Sequence, residues 1–318
     1  MKKIGVLTLL ITLLLTGCTS KESTTAKTVA ERYHVGLMLS DMGLGDLSIS
    51  DLAFDGLVRA TEDFDIVFRY LDPQEVKDYE QGIEQLVKQK NDVIFVIGYM
   101  PQEALEKVAK KYPKQQFVIV DTVSDSPNIS SITFDEEQGS YLAGALAATI
   151  TQSNVIGFIG GEDVDVIHNF ERGYIEGAKK VKPTIDVLTQ YANTYTDEAK
   201  GTAIAKEMIT SKADVLFAAA GMTGTGVLRE AARAKAYAIG VDSDQYFLAE
   251  KAVVTSMMKN IDVAVYEYIR KDIEAPRSQM GQHITMGIQD NGVGLAPIRV
   301  IDPIAPVEQA IEKIKRAM

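Results

Sequence analysis

Residues 215–245, VLFAAAGMTGTGVLREAARAKAYAIGVDSDQ, hold the fold in miniature. Val215 to Ala218 is a continuous apolar run of strand length, Gly226 to Ala234 has helical spacing, and Tyr237 to Val241 is apolar again. Strands without polar alternation are buried on both faces, so the unit reads as two parallel strands joined by a covering helix. Upstream the rhythm repeats. Strand-like runs lie at 34–39, 65–70, 93–97, 117–120, 155–159 and 185–191. Helical spacing lies at 51–63, 79–89, 101–111, 140–150, 170–181 and 197–210, and Pro101 suits a first helical position. Beyond 254 the sequence predicts a helix from Asp262 to Lys271 and strands near 283–289 and 297–301.

Two such runs imply an α/β protein of two doubly wound parallel-sheet domains with a ligand cleft between them. The first lobe is expected to span 33–132 plus about 255–290, and the second 133–254 plus about 291–318. Several crossovers between lobes suit closure around a ligand by hinge motion.

The N-terminus bears on compartment. Met1-Lys2-Lys3 is a short basic start, Ile4 to Leu15 is an apolar run with one Gly, and Leu15-Thr16-Gly17-Cys18 closes it. These features describe a signal peptide over 1–17, and the apolar run is too short to span a bilayer as a helix. Leu-Thr-Gly-Cys resembles the bacterial lipobox, which implies cleavage before Cys18 and lipidation of its sulfur. Cys18 is the only cysteine, so no internal disulfide can form. Several acyl chains would anchor the protein far more firmly than one. Residues 18–32 are rich in Ser, Thr and Lys and read as a flexible tether. The expected location is the extracytoplasmic face of the cell membrane.

Hydrophobic residues make up 46% of the chain and charged residues 24%, ordinary for a globular protein. The formal net charge is −11, and two fewer positive charges, Lys2 and Lys3, leave −13. Such acidity disfavours a nucleic-acid partner, whose backbone needs Lys and Arg clusters. The chain has no Trp, so any ring stacking falls to Phe, Tyr or His.

In open parallel sheets ligands bind beyond the carboxyl ends of the strands. There the sequence offers Ser40 to Ser48, Asp121-Thr122, Gly160 to Asp163, Ala219 to Gly226 and Asp242 to Gln245. Small residues and aspartates dominate, with no cation among them. Glycines let the backbone approach a ligand, and carboxylates accept from sugar hydroxyls and amines. No P-loop occurs, and Gly224-Thr225-Gly226 lacks the spaced third glycine of a dinucleotide turn. Plainer roles stand beside these. Asp41, Asp46 and Asp51 all precede a helix, and at least one is expected to serve only as a cap. The glycines at 221–226 can equally form a tight turn.

Catalytic patterns are weaker. His34, His168 and His283 lack metal-ligand spacing, and no Gly-x-Ser-x-Gly elbow occurs. Asp163 and Asp165 read more simply as acidic turn residues than as an acid–base pair. The metal-binding aspartate run of a nucleoside hydrolase is absent. Neither enzyme activity, cofactor nor metal is expected.

Seven stretches occur in a recognisable order. They are Gly45 to Ser48 with Asp51 to Gly56, Gly139 to Gly144, Phe158 to Gly161, Phe170 to Tyr174, Ala219 to Val227, Ala238 to Gln245, and Thr255 to Lys259. With the lipobox, they resemble the basic membrane protein (BMP) family, which includes the purine nucleoside receptor lipoproteins. The resemblance implies a type I periplasmic-binding-protein fold, with nucleoside held between the lobes, the base stacked on aromatic rings and the ribose held by acidic and amide groups. It also implies an ABC permease and ATPase as partners. A monomer is the default. Where the family commonly has Ser-Phe-Asn this chain has Ser48-Ile49-Ser50, and where it often has Gly-Ser-Phe this chain has Asn193-Thr194-Tyr195. Ile49 offers apolar contact only, whereas Tyr195 can stack and adds a hydroxyl. Asp41, Asp242 and Lys259 match family positions, although Lys259 also suits a solvated helix start. The residues expected at the ligand are Asp41, Asp46, Ser50, Asp121, His168, Tyr195, Gly221, Thr223, Asp242 and Lys259. The alternative is a sensor or regulatory lipoprotein of the same family, such as a competence-gene regulator. The loss of Phe and Asn in the first loop favours it.

Overall fold

The computed structural model describes residues 28–76 and 78–318. The expected signal peptide, Cys18 and the tether through residue 27 lie outside the described residues. The last part of that tether carries one short 3-10 turn, Val29–Glu31, in which the Thr28 amide donates to Glu31 (2.8 Å).

From Tyr33 onward the chain forms two sheets. The first lobe opens with β1 (Tyr33–Met38), α1 (Ile49–Asp63), β2 (Ile66–Leu71), α2 (Tyr79–Lys88) and β3 (Val93–Ile97). It continues with α3 (Gln102–Lys111), β4 (Gln116–Val120) and β5 (Ile129–Phe134). The chain then crosses into the second lobe. There it forms α4 (Glu136–Ile150), β6 (Val155–Gly160), α5 (Asp165–Val181), β7 (Asp186–Tyr191) and α6 (Glu198–Thr210). β8 (Val215–Ala219), α7 (Gly221–Ala234), β9 (Tyr237–Asp242) and β10 (Val253–Lys259) follow. α8 (Ile261–Glu274) and β11 (His283–Met286) return to the first lobe, and β12 (Val293–Leu295) and α9 (Ala305–Lys315) to the second. Strand order is β11-β5-β4-β3-β1-β2 in the first sheet and β12-β10-β9-β8-β6-β7 in the second. Every pairing is parallel except β10 with β12.

The central strands have no polar face because helices cover both sides. Every residue of β3, β4 and β8 is buried. Each fully buried Val, Leu, Ile or Phe contributes about 1.5–3 kcal/mol relative to exposure. In the second lobe Phe158, Phe217 and Tyr174 cluster, with Phe158 edge-on to Phe217 at 5.7 Å. Among the described residues no helix is long and apolar enough to cross a membrane.

Several boundaries differ from the sequence expectation. β5 was not foreseen, because Ser130, Ser131 and Thr133 break its apolar run, so the first sheet continues to Phe134 rather than 132. The return to the first lobe, expected at about 255, follows β10, whose residues through Lys259 belong to the second sheet. The strand expected at 297–301 is instead β12 at 293–295. Pro297 has no amide proton to give the ladder, and the bonds Ala296 N–Ser256 O (2.9 Å) and Arg299 N–Val254 O (2.7 Å) lie on either side of it. Helix α7 begins at Gly221 rather than Gly226, so most of the glycine-rich stretch is helix. Gly226 lets α6 come close, since a Cβ there would lie 2.0 Å from the Glu198 carbonyl oxygen. Gly226→Val is therefore expected to push α6 from α7 and cost about 1–3 kcal/mol of stability in urea denaturation.

Candidate ligand-binding site

A cavity of about 810 Å³, counting the part open to solvent, lies where the carboxyl ends of the two sheets face each other. This is within the usual range for small-molecule sites. The first lobe contributes Ser40, Asp41, Met42, Asp46, Ser48 and Ile49 after β1, Gly98 to Pro101 after β3, and Asp121 after β4. The second contributes Val166, Ile167 and Phe170 from α5, Tyr195, the stretch Ala219 to Met222, Asp242 at the end of β9 and Lys259 at the end of β10.

Two aspartates occupy equivalent places in the two lobes. Asp121 follows β4 with φ 76° and Asp242 ends β9 with φ 65°. This left-handed region is disfavoured for most side chains and tolerated best by Gly, Asn and Asp. Between them lies the Lys259 ammonium, with its side chain 2% exposed, 2.7 Å from Asp121 Oδ1 and 3.0 Å from Glu136 Oε1. The same nitrogen sits 5.3 Å from the Phe134 ring centre and 5.7 Å from that of Phe170, within cation–π range.

Charge and burial set the proton affinities. Burial pushes the Asp242 carboxyl up to about 6, with Asp121 and Asp46 adding to the rise, while Lys259 and the Ser48 hydroxyl oppose it. Burial alone would lower Lys259, but Asp121, Glu136 and Asp242 outweigh that and hold it above the ordinary lysine range. Glu136 is raised by burial, which exceeds the opposing pull of Lys259.

The lobes meet across the mouth. The Ser48 hydroxyl donates to the Asp242 carboxylate, the Ser243 hydroxyl to the Leu47 carbonyl (2.7 Å), and the Tyr99 hydroxyl to Glu162 (3.0 Å). Tyr195 can lie against the wall because Gly161 has no side chain. A Cβ there would fall 2.1 Å from the tyrosine ring.

Of the ten residues expected at the ligand, seven line this cavity: Asp41, Asp46, Asp121, Tyr195, Gly221, Asp242 and Lys259. Asp46 is nonetheless engaged by the backbone, accepting from the amides of Ser48 (2.8 Å), Ser50 (2.9 Å) and Asp51 (3.2 Å) at the start of α1. It thus satisfies the first amides of α1 from two residues before the N-cap position, Ser48, while also lining the cavity. Ser50, His168 and Thr223 do not line the cavity. Ser50 is buried with its hydroxyl 2.7 Å from that of Ser40. Thr223 is buried, donating to Thr194 O (3.1 Å) and accepting from the Asp197 amide (3.0 Å). His168 turns to Asp163 (2.6 Å) and packs edge-on to Tyr191. Lys259 is buried rather than a solvated helix start. Tyr99, Met100, Phe170, Met222 and Glu136 were missed. Tyr99 and Met100 follow the apolar strand β3, where the rule that found Asp121 applies equally.

The Bmp family, described as ABC transporter substrate-binding protein PnrA-like, matches residues 34–317. The chain belongs to the Bmp family. Its relatives include the ABC transporter nucleoside-binding protein BmpA of Lactococcus lactis, 33% identical, with 95% of this chain and 91% of that protein covered. The CD4+ T-cell-stimulating antigen of Listeria monocytogenes is 34% identical over 89% of this chain and 86% of the relative. Among solved structures, a solute-binding protein of an ABC transporter system from Aeropyrum pernix superposes with a TM-score of 0.76. It is 24% identical and covers 89% of this chain and 86% of that one, which places this Bmp protein in the type I periplasmic-binding-protein fold. The Bmp family is one of substrate-binding proteins of ABC systems, a class that takes a small-molecule ligand and works with a permease and an ATPase.

Proposed function

We propose that this Bmp protein is a lipid-anchored, extracytoplasmic receptor that captures a purine nucleoside and delivers it to an ABC permease with its ATPase. The observation that carries the reading is the composition of the cavity floor. Asp121 and Asp242 line it, and with the adjoining Glu136 they share the single ammonium of Lys259, so acceptors outnumber donors there. Buried acceptors without donors are costly, and sugar hydroxyls supply donors. A phosphate would meet carboxylates instead. Above this floor, Ile49, Phe170 and Tyr195 offer apolar and aromatic wall to a flat base, and base–aromatic stacking is worth about 1–3 kcal/mol. The named ligand class of the Lactococcus relative agrees with this chemistry. The lipobox at Leu15 to Cys18 supports the anchor.

The regulatory alternative rests on Ser48-Ile49-Ser50. Ile49 lines the cavity and keeps an apolar wall there, while Ser50 is turned inward, so the change leaves the acceptor floor intact.

Isothermal titration of the purified protein with adenosine, guanosine, inosine, cytidine and uridine tests the reading. Micromolar or tighter binding of at least one purine nucleoside is expected. No heat with any of the five removes the nucleoside from the proposal.

A further inference from the structure

One residue outside the cavity governs its floor. Glu136 is the first residue of α4 and is 4% exposed. It stands where the chain leaves β5 for the second lobe. Lys259 is the last residue of β10, where the chain turns back toward the first lobe through α8. Their 3.0 Å ion pair therefore joins two crossings between the lobes. The second Glu136 oxygen accepts from Asn169 on α5 (3.4 Å), which holds the carboxylate from its far side.

A lysine ammonium is a point charge on a flexible stem with three donors, so its position must be imposed. Here Asp121 and Glu136 hold it from different elements, and the rings of Phe134 and Phe170 flank it. Asp121 and Asp242 line the cavity and Glu136 does not. Remove the Glu136 charge, and the whole ammonium falls to the two cavity aspartates. They then accept less from anything else.

We infer that Glu136 is a positioning residue: it takes a share of the Lys259 ammonium that would otherwise fall wholly to Asp121 and Asp242, so both aspartates keep acceptor capacity for ligand hydroxyls. The ligand half of this statement rests on the nucleoside reading; the charge half does not. The groups facing Asp242 are Lys259 on β10, Asp121 after β4, and Asp46 and Ser48 before α1. Those facing Glu136 are Lys259, Asp121 and Asn169.

The test follows the Asp242 carboxyl by carbon-13 NMR against pH in the full, ligand-free chain. Glu136→Gln keeps the shape and removes the charge. The Asp242 midpoint is expected to fall by about one pH unit, as an opposite charge released toward a carboxylate requires. An unchanged midpoint overturns the proposal, because a merely structural role for Glu136 moves stability and not this titration. Should Glu136→Gln fail to fold, Glu136→Asp retracts the carboxylate while keeping its charge. A smaller shift in the same direction is expected, and no shift overturns the proposal. Guanosine affinity gives the second readout, with a roughly tenfold loss expected in Glu136→Gln. Guanosine affinity equal to that of the unaltered chain overturns the ligand half. If the unaltered chain binds no nucleoside, the ligand half falls with that reading, while the midpoint comparison still decides the charge half.

Discussion

Lys259→Met is expected to cost about 3–5 kcal/mol of stability at neutral pH and to abolish nucleoside binding. Removing one partner of a buried ion pair leaves the other buried and uncompensated, which is the costly case. Here three carboxylates lose their cation at once. Asp121 and Glu136 lose direct contacts, and Asp242 loses the attraction that opposes its burial. The remedy open to the variant is to bind protons. Part of the lost stability should therefore return on acidification to about pH 5, the opposite of ordinary acid destabilisation. Urea denaturation at two pH values checks this. A variant as stable as the parent at neutral pH would show that the ammonium contributes nothing net to the floor.

Ligand affinity is expected to fall on acidification through about pH 6, the value to which burial pushes Asp242. A carboxylate accepts from a sugar hydroxyl far better than a carboxylic acid does. Below the midpoint the dissociation constant should rise about tenfold per pH unit, as for one linked proton. Stability has the reverse sign. A carboxyl whose folded pKa is raised contributes stability that is fully present below its unfolded pKa and lost as pH rises through the folded one. The ligand-free protein thus surrenders stability from Asp242 between about pH 4 and 6, over the same interval in which its affinity grows. Titration calorimetry at several pH values tests the profile. Asp242→Asn should bind weakly with a flat profile, and a flat profile in the unaltered chain would remove Asp242 from the proposed site.

Much of the architecture was legible because it depends on patterns only a few residues long. Strands such as Val93–Ile97 and Val215–Ala219 are apolar throughout, and only a sheet covered on both faces accommodates them. The position of Asp121 and Asp242 followed from the same rule, since residues just past such strands face the cleft. What local pattern does not carry is side-chain direction within a turn. Ser50 and Thr223 sit within a few residues of the cavity and point into packing, whereas Ser48 and Met222 line it. Glu136 was illegible for a different reason. Its partner lies more than a hundred residues away at another crossing, and an acidic residue in a first helical turn is ordinarily explained by the helix dipole. The strand Ile129–Phe134 went unseen because its buried serines break the apolar run. Ser130 is satisfied by the Tyr268 hydroxyl (2.7 Å) and the Gln279 carbonyl (2.7 Å), partners nearly 140 residues or more distant.

The three bonds across the mouth carry a kinetic meaning. Ser48 with Asp242, Ser243 with the Leu47 carbonyl, and Tyr99 with Glu162 are made entirely by the protein's own groups. A guest cannot depart until they part, so its dwell time is bounded by how long the two halves stay clasped. Different guests then differ chiefly in how far they prolong that clasp, and their rates of escape spread more widely than their rates of capture.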